Sequence, residues 1–198
     1  MRIEIITATE SPIDVISLAA GNCYGKDNVS AKRVNTCVNA GHTSVLEHAS
    51  VTFRAEGISR ACSHQLVRHR MASFCQESQR YCKYDFDGDD WYVMPEAFSG
   101  EGVGAYAFSE TMREAANNYR TAVDFGIKPE DARYLLPEAT KTSIVVTMNA
   151  RELFHFLELR LSLSAQWEIR NMAGELLGAV TEINDQWADL VDIWQCAS

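Results

Sequence analysis

Residues 2–8 (RIEIITA) alternate apolar and polar and predict a strand. Ser11-Pro12-Ile13-Asp14 then supplies a cap, a proline at the first helical position and an acid in the first turn, which predicts a helix to about Ala20. Gly21 to Asn28 is mostly polar. Ser30 opens a second helix that stops at Gly41, the left-handed residue favoured just past a helix end, so His42 falls in a loop. From Glu47 the apolar positions Val51, Phe53 and Ala55 share one face of a strand that Gly57 breaks. Ser59 caps a helix through ACSHQLVRHR at 61–70, and DFDGDD at 85–90 reads as a solvated acidic turn before a short strand from Trp91 to Met94. Helices are expected at about 105–124, from Pro129 to Leu136, at 149–163 and at 165–190, with the β-branched run 143–147 as a strand or a buried helical turn. No Pro or Gly/Ser linker divides the chain and no repeat appears, so the pattern predicts one α+β domain over residues 1–198.

Composition narrows the class. With 198 residues, 46% of them hydrophobic and 23% charged, the chain has the balance of a globular protein rather than a disordered or coiled-coil one. A net charge of -9 argues against attraction to nucleic acid polymers or an anionic membrane. No apolar run approaches the roughly 18–20 residues that span a bilayer, and MRIEIITATE lacks the pattern of a secretory signal, so a cytoplasmic location is expected. Six cysteines without a CxxC pair read as reduced, mostly buried thiols.

The charge is unevenly spread. Between Arg54 and Lys83 lie six cations and only Glu56 and Glu77, a net +4, and four of the five histidines (His42, His48, His64, His69) fall in or just before this stretch. A surface strip paired with acids elsewhere is the plain alternative. On the expected helix Gln65 and Arg68 share a face, whereas Arg68 and Arg70 point in different directions, so the two guanidiniums can grip different anionic groups. In an extended segment Gln76, Ser78 and Arg80 face one side. A second constellation runs from Asn149 to Arg160. Arg151 and His155 share a helical face, but Arg160 is about half a turn out of phase. Either the helix ends before Arg160 or the two arginines serve different ligands, unless both simply pair with Glu158 and other neighbouring acids.

Arg68-His69-Arg70 followed by seven residues and Ser78 gives RHR(x)7S, and RHRMASFCQESQRY resembles the signature of the flavin-dependent thymidylate synthases, the ThyX family. The likeness continues in family order through Gly41-His42 with Glu47-His48, Gln65, Asp131-Ala-Arg133-Tyr-Leu-Leu-Pro137, and the stretch from Asn149 to Arg170. The resemblance implies a single domain with a small, mostly antiparallel sheet flanked by helices, assembled as a homotetramer with shared active sites. It implies reductive methylation of dUMP to dTMP, with 5,10-methylenetetrahydrofolate as one-carbon donor, FAD as hydride carrier and NADPH as reductant. By that likeness Ser44, Arg68, His69, Arg70, Gln76, Asn149, Arg151 and His155 bind FAD. Gln65, Arg68, Gln76, Glu77, Ser78, Gln79, Arg80 and Arg133 bind dUMP, with Ser78 and Arg80 on its phosphate. Arg160 resembles the arginine that binds the uracil and favours ionisation at N3. Where relatives often carry Arg-Val-Ser, this chain has Gly21-Asn22-Cys23, which leaves a flavin contact there unassigned.

The chemistry of the residues agrees with that likeness. A guanidinium beside a uracil carbonyl stabilises negative charge on the ring. Ser78 has no base beside it in sequence and reads as a hydrogen-bond donor rather than a nucleophile. A zinc site is the main rival, but His64 and His69 are five apart, off the spacing that puts two ligands on one helical face, and HExxH is absent. A non-catalytic nucleotide- or RNA-binding module is the second rival. Trp167, Trp187 and Trp194 lie among aliphatic residues and read as core or interface.

Overall fold

A computed structural model describes residues 1–82, 84, 86, 88, 90–100 and 102–197. The acidic turn expected at 85–90 rests largely on Asp85, Asp87 and Asp89, which lie outside the described residues, as does Lys83 of the basic stretch. In chain order the elements are β1 (Arg2–Ala8), α1 (Pro12–Asn22), α2 (Ala31–Asn39), β2 (Ser50–Ser59), α3 (Arg60–Leu66), β3 (Ser73–Gln76), α4 (Val103–Asp124), α5 (Pro129–Ala132), β4 (Lys141–Asn149), α6 (Ala150–Leu161), α7 (Trp167–Thr181) and α8 (Asp185–Ala197). Short 3-10 turns lie at Thr43–His48, Glu96–Phe98 and Arg133–Leu135. The architecture is α+β, with a small antiparallel sheet in the order β1-β2-β4-β3.

The alternation of β2 and β4 decides which side chains they bury. In β4, Thr142, Ile144, Val146 and Met148 turn inward at period two. In β2 the inward set is Val51, Phe53 and Ala55, then shifts by one to Ile58. Gly57 sits at that shift with φ +70°, so the expected breaker is a phase change inside a continuous strand. Ser59 does cap α3, its Oγ accepting from Cys62 N–H at 3.0 Å.

Two compact units divide the residues. The first comprises 1–55, 65–75 and 145–198. Here α1 packs on α2, α7 on β1 and α6, and α8 on α1, α2 and α7. Trp187 is fully buried, its Nε1–H donating to Thr9 O at 2.9 Å. The single helix expected over 165–190 is two. Asn184 Oδ1 accepts from Trp187 N–H at 3.1 Å and starts α8, a cap hidden inside a run with helical periodicity. Gly21 lets the end of α1 turn: a Cβ there would lie 2.4 Å from Lys26 O, so the position leaves no room for a side chain.

The second unit, 56–64 and 76–144, has an aromatic core of Phe86, Trp91, Tyr92 and Tyr119 with Met112, Ala116 and Ala132. The strand expected at Trp91–Met94 is reduced to one antiparallel bridge between Tyr92 and Thr140, because Trp91 and Tyr92 are both taken into this core and the alternation is lost. Among the cysteines only Cys62 is buried. Cys23, Cys75 and Cys196 are exposed because they sit at a helix end, on the edge strand β3 and in the last helical turn, which corrects the expectation of mostly buried thiols. Among the described residues no helix is long and apolar enough to cross a membrane.

Candidate active site

Helix α3 ends at Leu66, four residues short of the expected end, and Arg68-His69-Arg70 is therefore turn rather than helix. Gln65 and Arg68 are linked by a turn, Arg68 N–H donating to Gln65 O at 3.3 Å, rather than aligned on a helical face. Burial alternates across the three motif residues. Arg68 and Arg70 are exposed, while the ring of His69 is only 4% exposed.

In this first unit the His69 ring is held on three sides. Nδ1 lies 3.2 Å from Glu152 Oε1, Nε2 accepts from Arg160 Nε–H at 3.0 Å, and Phe156 meets the ring edge-to-face at 4.9 Å between centroids. Arg160 also reaches Gln65 O through Nη2 at 3.4 Å. A guanidinium only donates and a carboxylate only accepts, so the ring is neutral with its proton on Nδ1. The electrostatics agree. Burial, then the Arg160 guanidinium, and lastly His155 pull the His69 pKa below 6.5, against the hydrogen bond and charge of Glu152.

Helix α6 delivers these groups. Asn149 caps it by accepting from Glu152 N–H at 2.9 Å. The helix runs through Arg160, so the half-turn phase difference is real. Arg151 turns to Glu47 at 2.5 Å while Arg160 turns to His69, and neither meets Glu158. Asn149, Arg151 and His155 all line a cleft of about 710 Å³ in the first unit. Its apolar wall is Phe154 stacked on Trp194, with centroids 5.0 Å apart and planes 4° from parallel. Ser44 is exposed in the 3-10 turn whose Thr43, Leu46 and Glu47 line the same cleft.

The second unit holds the other predicted residues. Strand β3 ends at Gln76, whose Nε2 donates to Ser63 Oγ at 2.8 Å and to Thr142 Oγ1 at 3.3 Å. The chain then turns, with Tyr81 and Cys82 N–H donating to Ser78 O, so Gln76, Ser78 and Arg80 do not form one extended row. Gln79 is buried, and Glu77 and Arg80 are exposed. Ser78 Oγ accepts from Arg80 N–H at 3.2 Å, and the Arg80 guanidinium meets Glu130 through Nε and Nη2, both at 3.1 Å. Arg133 Nε donates to Glu130 O at 3.0 Å. Arg133, Gln79, Arg60 and His64 line a smaller cleft of about 360 Å³.

Three acids to which sequence reasoning gave no role hold the predicted cations or ring: Glu152, Glu47 and Glu130. For Glu152 a signal existed, since Asn149-x-x-Glu is a capping pattern, but its carboxylate goes to His69 instead of back to the cap. Among the described residues no group of three or more His, Cys, Asp or Glu could hold a metal ion.

The sequence model of the family described as thymidylate synthase complementing protein matches residues 4–184. The chain belongs to the flavin-dependent thymidylate synthase family. A flavin-dependent thymidylate synthase of Geobacter sulfurreducens is 46% identical over 191 residues, covering 91% of this chain and 82% of that protein. One from Pyrococcus furiosus is 38% identical over 207 residues, covering 96% and 85%. The crystal structure of a Helicobacter pylori thymidylate synthase X with FAD and dUMP superposes with a TM-score of 0.78 at 26% identity, covering 98% of this chain and 100% of that one. As a flavin-dependent thymidylate synthase by family, the chain is an enzyme of dTMP biosynthesis, and its four signature stretches all fall within the matched residues.

Proposed function

We propose that the protein carries out the reductive methylation of dUMP to dTMP, with 5,10-methylenetetrahydrofolate as one-carbon donor and NADPH as reductant, as a single catalytic domain over residues 1–198 working in the cytoplasm as a homotetramer. What supports this most is family membership across residues 4–184 together with the half-buried Arg160, whose guanidinium is anchored along one edge only. FAD fits the larger cleft, which pairs an aromatic wall with a cation, an amide and an imidazole, and its volume lies within the range of cofactor sites. Asn149, Arg151 and His155, which line this cleft, would hold it with Ser44 of the adjoining turn; the resemblance adds Arg68, His69, Arg70 and Gln76, which do not line it, and the His69 ring is already engaged on both nitrogens. When bound, FAD supplies the hydride chemistry that the side chains lack.

The rest of the work falls to the chain's own residues. Arg80 and Ser78 bind the dUMP phosphate, Arg80 through the planar fork that here grips the Glu130 carboxylate. Glu77, Gln79, Gln65, Arg68 and Arg133 complete the nucleotide contacts. Arg160 sets N–H groups against the uracil and stabilises negative charge on the ring, which eases attack through its carbon. Its Nε–H and one Nη2–H are engaged by His69 and Gln65, which leaves the Nη1 side for substrate.

The test is the absorption spectrum of the purified protein. A yellow flavin that NADPH bleaches, and that recovers on adding dUMP and methylenetetrahydrofolate with dTMP as product, is the expected result. Colourless protein with stoichiometric zinc would overturn the reading, as would RNA binding of steep salt dependence without NADPH oxidation.

A further inference from the structure

The geometry points to Glu152 as a positioning residue that aims the Arg160 guanidinium through His69. Arg160 sits at the far end of α6, and its Nε–H is anchored on one atom, Nε2 of His69, at 3.0 Å. That anchor exists only while Nε2 keeps a lone pair. An imidazole has two neutral tautomers, and the partner of one nitrogen selects the state of the other. Glu152, two turns before Arg160 on the same helix, accepts at Nδ1 from 3.2 Å and holds the proton there. With Glu152 absent the Nδ1–H is buried without an acceptor. Only the Arg160 N–H then still favours the proton on Nδ1, and with one of the two selecting partners gone the Nε2–H tautomer, in which the anchor is lost, becomes populated.

The local build keeps this arrangement fixed. Glu152 and His69 are 7% and 4% exposed, so water does not readily replace either partner. Phe156 holds the ring edge-on, and the other charged or titratable neighbours of the ring are Arg160 and His155, the latter at 6.1 Å between centroids. The backbone of Glu152 is pinned by the Asn149 side chain, so one cap places both the acceptor and the helix that carries Arg160. The inference rests on the proposed role of Arg160 at the uracil ring, but the tautomer of His69 is a property of the protein alone.

Two variants test it, Glu152→Leu, which keeps bulk and removes the acceptor, and Glu152→Gln, whose amide either accepts from Nδ1–H or donates to it. The ring nitrogens of His69 are read by 15N NMR of histidine-labelled holoenzyme, alongside kcat for dTMP formation with saturating dUMP and FAD. Wild-type protein should show a protonated Nδ1 and a bare Nε2. In Glu152→Leu the two ring nitrogens should shift toward the averaged values of a tautomer mixture and kcat should fall roughly 10- to 100-fold, with the dUMP phosphate contacts and KM little changed. Glu152→Gln should follow its own tautomer, near wild type where Nδ1 stays protonated and impaired where it does not. A proton on Nδ1 in both variants with an impaired kcat would overturn the inference, as would a shifted tautomer with wild-type turnover. Wild-type protein that shows the expected tautomer yet makes no dTMP would instead overturn the proposed function.

Discussion

Replacing Arg160 with alanine separates two energies, that of the hydrogen bonds this side chain makes in the structure and that of the catalytic role proposed for it. On the folding side, the change strips the buried Nε2 of His69 of its donor. An orphaned buried acceptor costs about 1–3 kcal/mol, toward the lower end here because the truncated side chain was half-buried and opens room for water. For a chain of this length each 1 kcal/mol lowers the melting temperature by about 2–4 °C. On the catalytic side, a preorganised donor to developing charge is worth about 2.7–4 kcal/mol, a loss of roughly 10²–10³ in kcat. The proposed flavin contacts Asn149, Arg151 and His155 lie on the other phase of α6 and stay in place, so FAD affinity should hold within about threefold. Turnover is measured as dTMP formed under saturating substrates, flavin affinity by absorbance titration, and stability by calorimetry. Turnover within threefold of wild type would remove Arg160 from the ring, and loss of flavin in step with activity would move it to the cofactor.

Three further outcomes are expected. Arg80→Ala should weaken dUMP by roughly 10- to 100-fold, the loss of a charge-assisted bond, while leaving deoxyuridine nearly unaffected in calorimetric titration; equal losses would place Arg80 away from the phosphate. Asn149→Ala removes the cap of α6 and should cost about 1 kcal/mol, read as a lower midpoint in thermal unfolding. Because the His69 pKa is held below its unfolded value of 6.5, the unfolded chain binds the extra proton first as pH drops. Stability from this group is therefore full above about pH 6.5 and is lost as pH falls toward the folded pKa. Urea unfolding of wild type and His69→Gln at about pH 7.5 and pH 5.5 should show a smaller acid loss in the variant.

Local chemistry made much of the fold legible. Residues 2–8 announce β1 by alternation, Ser59 caps α3 as its position suggests, and Gly41 ends α2 with φ +74°. The failures share a cause, a tertiary partner outweighing a local preference. Gly57 does not end β2, because the strand absorbs its positive φ as a phase shift between two buried faces. Arg68-His69-Arg70 leaves the helix because His69 turns in to Glu152 and Arg160, eighty and more residues away, which no local spacing encodes. At the site the cations were legible by type, and the two phases of Arg151 and Arg160 hold, whereas the shared face of Gln65 and Arg68 and the row of Gln76, Ser78 and Arg80 do not. Their carboxylate partners were not, since an isolated Glu in an acidic chain carries no mark of which cation it faces.

The pairing of Arg151 with Glu47 and of Arg80 with Glu130 bears on selectivity among cellular anions. Neither guanidinium waits bare. A ligand phosphate must exchange with a carboxylate already in position, and an exposed pair of this kind sets a threshold of about 0.2–1 kcal/mol, at most about fivefold. Chloride, a monovalent sphere unable to span a planar fork, offsets less of that threshold than a dianionic phosphate does. The resident acids thus bias these two guanidiniums modestly toward ligands that match them in both charge and shape.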